Sequence, residues 1–363
     1  MQAEYQARLQ LTTGIYSCAP ALNGRTIQKQ QKELPMRPIK KILVAVKQPA
    51  GRRSPAVDKA AQLALAFGAE LELFHALTTP IYLGYTAEDD RNWRRVQRED
   101  KRNAQASLDQ QAADLQSRGV KASVAVAWDY PVYEAVVRRA LHTGADLVVA
   151  ERHGGKHTAS WLLRYSDWEL LRLCPVPFLL VKKPKPYARP VVLAALDPLH
   201  SFAKPARLDA EILQLAGSVA GALRGSVHAA HAYLALPVYP GADALPARTV
   251  AKQNEARARQ QATGAFEAEL QGSDIAKSNR HLVHGHPVDV LPRLARTTGT
   301  AIAVLGAISR SGLKKLLIGN TAEAIIDSLP CDILVVKPAQ FKTRVGRRAR
   351  GPSYVIPPEV QWI

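Results

Sequence analysis

The sequence predicts an α/β protein made of two tandem units, each a doubly wound parallel sheet with helices on both faces. At 363 residues the chain is longer than one ordinary domain of about 100–200 residues. Two parts of the chain repeat one another at a nearly constant spacing, which indicates a duplicated unit. Within each part, short apolar strands alternate with helices, which is the order typical of parallel sheets.

The repeat is clearest where a helix leads into an apolar strand. Residues 145–150 form such a strand in the first part, and residues 300–305 form its counterpart 155 residues later. The same spacing separates the closing strands of the two parts, residues 178–182 and 333–337. About fifty residues align almost without insertion, so we expect two copies of one fold.

Each copy opens with a short apolar strand of the buried type, at residues 40–47 and 189–197. A helix follows each strand. In the first copy Ser54 can cap this helix and Pro55 suits its first position. Gly68 ends the helix, whose apolar stripe consists of Val57, Ala60, Ala61, Ala64 and Leu65.

The second copy follows the same plan. Pro205 starts its first helix, whose apolar stripe consists of Leu208, Ile212, Leu215, Ala216 and Val219. Second strands are predicted at residues 70–76 and 226–233, and long polar helices at residues 88–117 and 248–270. Each long helix leads to a third strand, and the resulting order βαβαβαβαβ predicts a parallel sheet in each copy.

These patterns divide the chain into five segments. Residues 1–36 lack the charged start and apolar core of a secretory signal and are expected to be a disordered extension. Residues 37–183 form the first unit and residues 191–340 the second, with separate sheets. Residues 184–190 are the linker, within a stretch rich in Pro and Lys at residues 182–190, and residues 341–363 are predicted to be a basic, flexible, solvated tail.

The composition limits the classes of function. The net charge is +18, from 49 Lys and Arg against 31 Asp and Glu, and such a field attracts nucleic acid, nucleotides and anionic surfaces. No apolar run approaches the roughly 18–20 residues of a membrane span, so no membrane association is expected. Cys18, Cys174 and Cys331 include no CxxC pair, which disfavours a disulfide framework and favours the cytoplasm; the last two are expected to be buried.

The best candidate for a ligand site lies in the second copy. In an open parallel sheet, ligands bind beyond the carboxyl ends of the strands where the strand order reverses, so the loops after strands one and four matter most. Gly306 ends strand four, and Gly319 precedes a helix that Asn320 and Glu323 can cap. Glycines let the backbone approach a ligand, and the free N–H groups of a helix start attract anions. The pattern predicts a cradle for phosphate.

These residues resemble the universal stress protein family, whose nucleotide-binding members hold the phosphates of ATP in a G-x2-G-x9-G-[S/T] loop. Gly306 and Gly319 match the first and last glycines of that loop. Ser309 stands where the second glycine belongs, and Asn320 replaces the Ser or Thr. The resemblance extends over about residues 38–340 and is closest to the tandem UspE type.

The resemblance also has implications for architecture and ligand. The family's Rossmann-like units usually pair through their last strands, so two copies in one chain imply an internal pseudo-dimer, with a further homodimer left open. It implies ATP with Mg²⁺ in the second copy only. The matching positions there are Asp197, Ala232, Gly306, Ser309, Gly319, Asn320 and Thr321.

The first copy departs from the family's loop. Glu151 stands where the first glycine belongs, and Lys47 replaces the acidic residue that ends strand one. Arg164 and Tyr165 replace the last glycine and the residue after it. A carboxylate and bulky side chains then occupy the phosphate path, so this copy is expected to be closed to ATP and to serve as a scaffold.

Three interpretations of function follow. The leading one is a stress-response binding and signalling protein. The alternative is a nucleotide-free interaction module whose basic surface contacts nucleic acid or an acidic partner. The enzymatic one is slow ATP hydrolysis, with Asp197 orienting a metal ion. No GxSxG, Walker A, HExxH or GxGxxG motif supports any other chemistry.

A cluster of histidines suggests a metal site at first sight. It consists of His281, His284 and His286. On a strand the first two point to opposite faces, and no acidic or thiolate partner lies nearby in the sequence. No metal site is therefore predicted.

Overall fold

The computed structural model describes residues 38–51, 53–78, 81–82, 87–152, 160–199, 208–235, 247–306, 320–351 and 354–355. All of them belong to one compact body, Met36–Ile363, which contains both repeated units. The extension predicted at residues 1–36 lies outside the described residues.

The first half of the fold follows the predicted order of strands and helices. Its elements are β1 (Lys41–Ala45), α1 (Pro55–Phe67), β2 (Glu70–Leu77), β3 (Ile81–Tyr82), α2 (Ala87–Ser117), β4 (Lys121–Trp128), α3 (Val132–Thr143), β5 (Leu147–Glu151), α4 (Ser160–Leu173) and β6 (Phe178–Val181).

The second half repeats that order and ends in a short additional strand. Its elements are β7 (Val191–Leu196), α5 (Leu208–Ala222), β8 (Ser226–Tyr233), α6 (Ala247–Glu269), β9 (Arg280–His284), α7 (Pro287–Thr297), β10 (Thr300–Gly306), α8 (Asn320–Ser328), β11 (Asp332–Val336) and β12 (Tyr354–Val355).

The two halves share one ten-stranded sheet, in the order β4-β2-β1-β5-β6-β11-β10-β7-β8-β9. Every neighbouring pair is parallel except β6 and β11, which pair antiparallel with Leu179 opposite Leu334. The sequence predicted two separate sheets. The last strand of each unit would otherwise leave an open edge, and pairing these edges satisfies their backbone groups and forms the internal pseudo-dimer.

Helices cover both faces of this sheet. Buried side chains of α1, α2, α5 and α6 form a core on one face, and those of α3, α4, α7 and α8 form a core on the other. Each core contains residues from both units, so the apolar interior is continuous across the boundary. The fold is thus a tandem, doubly wound, Rossmann-like α/β structure, as the sequence predicted.

The ends of α1 agree with the prediction from sequence. The Ser54 hydroxyl accepts a hydrogen bond from the backbone N of Val57 at 3.4 Å, and Pro55 is the first helical residue. Gly68 closes the helix with a left-handed φ of 64°. The cap, the first position and the stop are therefore confirmed.

The predicted apolar stripe of α1 is wrong at one position. Leu65 is 48% exposed, whereas Leu63 and the charged Lys59 are buried. The buried face is rotated because α1 packs against the second unit as well as the sheet, and Lys59 pairs there with Asp332. A helix at an interface buries a wider arc than one stripe on a sheet.

Two lysines related by the repeat join the units reciprocally. Lys182 donates from Nζ to the backbone O of Ile326 in α8 at 2.8 Å, and Lys337 donates from Nζ to the backbone O of Leu171 in α4 at 2.6 Å. Each lysine thereby satisfies carbonyls at the C-terminal end of the other unit's last helix, where a cation also complements the helix dipole. Burial lowers the pKa of both lysines to about 8.

A buried charge cluster spans the boundary between the two units. Asp332 is fully buried and pairs with Lys59 of α1. Its Oδ2 also accepts from the Tyr187 hydroxyl at 2.7 Å, and its Oδ1 from the backbone N of Lys182 at 2.8 Å and of Lys183 at 3.0 Å. Tyr187 belongs to the predicted linker and anchors it at the interface, whereas residues 184–186, 188 and 189 are exposed.

The C-terminal tail differs from its prediction. It was expected to be flexible and solvated, yet Val345 is buried, and Arg344 and Arg350 reach carboxylates of the first unit. β12 pairs with β3. The sequence could not predict these contacts because the partners lie more than 150 residues away in the chain. The tail therefore contacts the first unit through Arg344, Val345, Arg350 and β12, whereas the backbone N of Ala339 donates to Oε1 of Glu211 in the second unit at 3.4 Å.

Candidate functional site

The strand order reverses at one place in each unit. In the second unit this switch point lies between β7 and β10, and in the first between β1 and β5. Asp197 directly follows β7, Gly306 is the last residue of β10, and Ala232 is the penultimate residue of β8. These three predicted site residues therefore lie at one carboxyl edge of adjacent strands, where such folds bind ligands.

The packing around position 306 explains why this residue is a glycine, even when no ligand is considered. A Cβ at this position would lie 2.6 Å from Cδ2 of Leu208 and 3.2 Å from Cδ1 of Ile212, both in α5. Any larger residue would therefore require these two side chains to move. Gly306 thus brings the first helix of the unit close to the switch point, which shapes the site as well as the core.

Asp197 is held in place by a second acidic residue that the sequence did not single out. Its backbone N donates to the Asp209 carboxylate, at 3.1 Å to Oδ1 and 3.2 Å to Oδ2. Asp209 is almost fully buried in the first turn of α5. The sequence contained one signal that could have identified Asp209: it is an acidic residue in the first turn of the helix after strand one.

A histidine supports the end of strand one in both units. His75 approaches the backbone O of Val46 through Nδ1 at 2.7 Å, and His231 approaches that of Leu196 at 3.2 Å. A carbonyl can only accept, so Nδ1 carries the hydrogen in each case. The sequence offered a signal in the dipeptides His75-Ala76 and His231-Ala232, which recur at matching positions.

The remaining predicted site residues surround the loop after β10. Ser309 and Gly319 lie outside the described residues. Asn320 and Thr321 open α8, whose start lies at the far end of that loop, and nothing is described of their side chains. The phosphate cradle at this helix start stays a prediction.

The switch point of the first unit contains a lysine. Lys47 donates from Nζ to the backbone O of Glu151, and this ammonium lies 3.8 Å from Oδ1 of Asp167. Burial lowers the pKa of Lys47 to about 8, although both Asp167 and Glu151 favour its charged form. The side chains of Arg164 and Tyr165 lie outside the described residues. That this unit is closed to ATP stays a prediction.

The cavity next to this cluster is too small for a nucleotide. Its volume is about 140 Å³, whereas ligand pockets usually have about 300–1,000 Å³. Arg152 and Asp327 close it with a 2.7 Å ion pair across the boundary between the units. The cavity therefore suits water or a small ion.

The histidines of the predicted cluster have separate structural contacts. His286 caps α7, with its Nδ1 accepting from the backbone N of Val288 at 3.3 Å. His281 lies with Nε2 3.0 Å from Nδ1 of His228, and His284 packs against Tyr233. Within the part of the chain that the structure describes, no three His, Cys, Asp or Glu side chains form a group that could hold a metal ion.

The two described cysteines are inert. Cys174 and Cys331 are each 1% exposed, which confirms that they are buried. Burial raises the pKa of Cys174 to about 11 and that of Cys331 to about 12, so neither is a thiolate near neutral pH. They offer no nucleophile.

Comparisons with known proteins point to one family. The universal stress protein family model matches residues 38–182 and 207–337. Universal stress protein E of Escherichia coli K12 is 33% identical over 245 residues, 66% of this chain and 76% of that protein. A homolog of that protein from Haemophilus influenzae is 28% identical over 216 residues, 59% of this chain and 69% of that protein.

Solved structures share the fold. A putative universal stress protein from Pseudomonas aeruginosa UCBPP-PA14 superposes with a TM-score of 0.61 at 24% identity, over 83% of this chain and 94% of that chain. One from Archaeoglobus fulgidus has a TM-score of 0.51 at 16% identity, over 81% and 98%. Among the described helices, none is long and apolar enough to cross a membrane.

Proposed function

The chain belongs to the universal stress protein family, and we propose that it is a cytoplasmic stress-response protein whose second unit binds ATP with Mg²⁺ or a related anionic ligand. The observation that supports this most is the contrast between the two switch points. In the second unit Asp197 and Gly306 end adjacent strands, whereas in the first Lys47 is bonded to Glu151 at the same place. Ligand occupancy of the second unit would then be conveyed to partners.

The residues of the second unit fit the chemistry of such a ligand. Carboxylate oxygens are preferred ligands of Mg²⁺, so Asp197 would hold the ion, and Ala232 would offer its backbone to the base. The glycines at 306 and 319 and the start of α8 at Asn320 would hold the phosphates through backbone N–H groups. Ser309 and Thr321 would add hydroxyl groups.

Calorimetric titration with ATP and Mg²⁺ tests this proposal. We expect wild type to bind one nucleotide per chain. Gly319→Arg is expected to weaken binding at least tenfold, because the new side chain fills the space that the phosphates need. Glu151→Gln is the matched control in the first unit and should bind like wild type. No heat from wild type, or two equivalents per chain, would contradict the proposal. Phosphate release that is lost in Asp197→Ala would add the enzymatic alternative.

A second candidate, contact with nucleic acid, is favoured by the outer face of α2. Five arginines of this helix lie within roughly 100° of its circumference and are exposed. Four of them, Arg91, Arg94, Arg98 and Arg102, make no ion pair with another described residue, and Arg95 pairs with Glu99. The five are Arg91, Arg94, Arg95, Arg98 and Arg102. By contrast, Arg344 and Arg350 of the tail already pair with carboxylates.

A further inference from the structure

The tail of the chain crosses the outer face of the first unit as an extended segment. We call residues 338–355 the strap, of which 338–351 and 354–355 are described. The strap leaves the sheet at the end of β11, passes α4 and the start of α3, and ends beside β3. Its contacts are of three kinds, and together they resemble those between a domain and a bound peptide.

The first contact is an apolar anchor flanked by an ion pair. Val345 is 7% exposed and belongs to the core formed with α3 and α4. Next to it, the Arg344 guanidinium lies 3.6 Å from Oε2 of Glu169, a carboxylate that is almost fully buried. A buried apolar side chain next to an ion pair fixes the position of an extended segment on a protein surface.

The second contact completes a cluster of charges at the start of α3. Arg138 forms two 2.7 Å hydrogen bonds with Asp129 and one of 2.8 Å with Glu134. Two carboxylates and one guanidinium leave one negative charge. Arg350 of the strap lies 2.9 Å from Glu134 through Nε and donates from its backbone N to Asp129 at 2.9 Å. An arginine is therefore the side chain that this cluster lacks without the strap.

The third contact is made by the backbone. Tyr130 donates from N to the carbonyl O of Gly351 at 3.1 Å. Three residues further on, β12 pairs in parallel with β3, with Tyr354 opposite Ile81. These two strands form a small sheet of their own, separate from the ten-stranded sheet. Backbone pairing of this kind is a common mode of peptide binding and does not depend on the identity of the side chains.

The place of these contacts in the fold indicates a function. Tyr130 and Ile81 follow β4 and β2, so the strap lies beside the carboxyl ends of these two strands, on the side of the sheet where such folds bind ligands. We infer that this edge is a binding groove for an extended, arginine-bearing peptide, which the chain's own strap fills in cis. A partner protein with an arginine five residues after an apolar anchor displaces the strap and binds in its place.

The strap is suited to displacement. The side chains of Arg344 and Arg350 are 59% and 65% exposed, and the strand pairing spans only two residues. Exposed ion pairs are weak, so the tethering of the strap contributes much of its occupancy. The inference concerns the first unit and is independent of nucleotide binding by the second.

The test uses the full chain and a fluorescent synthetic peptide with the sequence of residues 342–355. Arg350→Glu in the protein sets a carboxylate against Glu134 and frees the strap. We expect this variant to bind the peptide at least tenfold more tightly than wild type, in which the peptide must displace a tethered competitor. A peptide that itself carries Arg350→Glu is expected to bind neither protein.

Arg348→Glu is the matched control. It makes the same change of charge at an exposed strap residue that forms no ion pair with another described residue, and it should bind the peptide like wild type. Equal binding to all three proteins would overturn the inference. If the circular dichroism spectrum shows that the Arg350→Glu protein is not folded, the test uses wild type alone. Unlabelled peptide should then displace the fluorescent peptide from wild type at least tenfold better than unlabelled peptide that carries Arg350→Glu, and equal displacement by the two would refute the groove.

Discussion

Single residues decide how the two units meet. The Asp332 carboxylate gathers donors from three parts of the chain: Lys59 of α1, the hydroxyl of Tyr187 and the backbone of residues 182–183. The Lys59 ammonium also lies 4.5 Å above the Tyr187 ring. Because these groups are buried, each depends on the others for the interactions that water would otherwise provide.

Asp332→Asn is expected to destabilise the protein strongly. It removes the charge that balances Lys59, which is 2% exposed, and an unbalanced buried charge costs about 3–5 kcal/mol of the free energy of unfolding. Urea unfolding measures the loss. Asp327→Asn is the control, since its pair with Arg152 is exposed and should contribute less than about 1 kcal/mol. Similar losses in both variants would show that the cluster does not stabilise the boundary.

At the scale of elements, the last helix of each unit depends on a lysine from the other. Lys337 donates to the carbonyls of Leu171 and Arg172 at the end of α4, and Lys182 does the same at α8. Helix ends leave carbonyls without intrahelical partners, so these contacts are useful despite the cost of burying an ammonium. The lowered pKa of both lysines reflects that cost.

The stabilising effect of Lys337 is expected to depend on pH. Its pKa is lowered from 10.5 to about 8 in the folded protein, so between these values the unfolded chain binds more protons. Stability due to this residue therefore rises with pH across that window, by up to about 1.4 kcal/mol per pH unit. The difference in unfolding free energy between wild type and Lys337→Met should grow from pH 8 to pH 10. Exposed Lys185→Met should show a constant difference, and a flat difference for Lys337→Met would contradict this prediction.

At the scale of the whole molecule, the net charge is +18, but the positive side chains differ in how far they are free to contact a partner. The arginines of α2 face solvent, whereas two of the tail are engaged by the first unit. A dense, outward-facing basic stripe without apolar neighbours suits the phosphates of nucleic acid better than insertion into a membrane. The exposed stripe is therefore a better indication of a polyanionic partner than the total charge is.

The salt dependence of DNA binding tests the stripe on α2. Replacing Arg91, Arg94 and Arg98 by Ala should lower the slope of log K against log salt by about 2–3, because each phosphate contact contributes about 0.9. Fluorescence anisotropy with a labelled duplex at several salt concentrations measures this slope. Arg347→Ala with Arg348→Ala changes exposed tail arginines and should leave the slope unchanged. Equal slopes for wild type and the α2 variant would exclude the stripe as the contact surface.

The candidate site was only partly predictable from sequence. Gly306 and Asp197 could be placed at the ends of their strands because a strand that ends in a glycine or an acid is a local pattern, and the repeat showed which strands correspond. Asp209 and the supporting histidines were missed, since their roles depend on contacts between strand and helix. The glycine at 306 was assigned to a ligand, yet the approach of Leu208 also requires it. The sequence shows that residue 306 has no side chain, but it does not show which group fills the space that a side chain would occupy.

The sequence by itself determined the duplication, the order of strands and helices, and the caps of α1, because hydrophobic periodicity and capping act over a few residues. Only the tertiary structure decided which distant groups meet: the antiparallel register of β6 on β11, the pairing of Lys59 with Asp332, and the strap on the first unit. These contacts join residues more than 150 positions apart. Local patterns carry no information about such pairs, whereas packing and the pairing of buried charges select them.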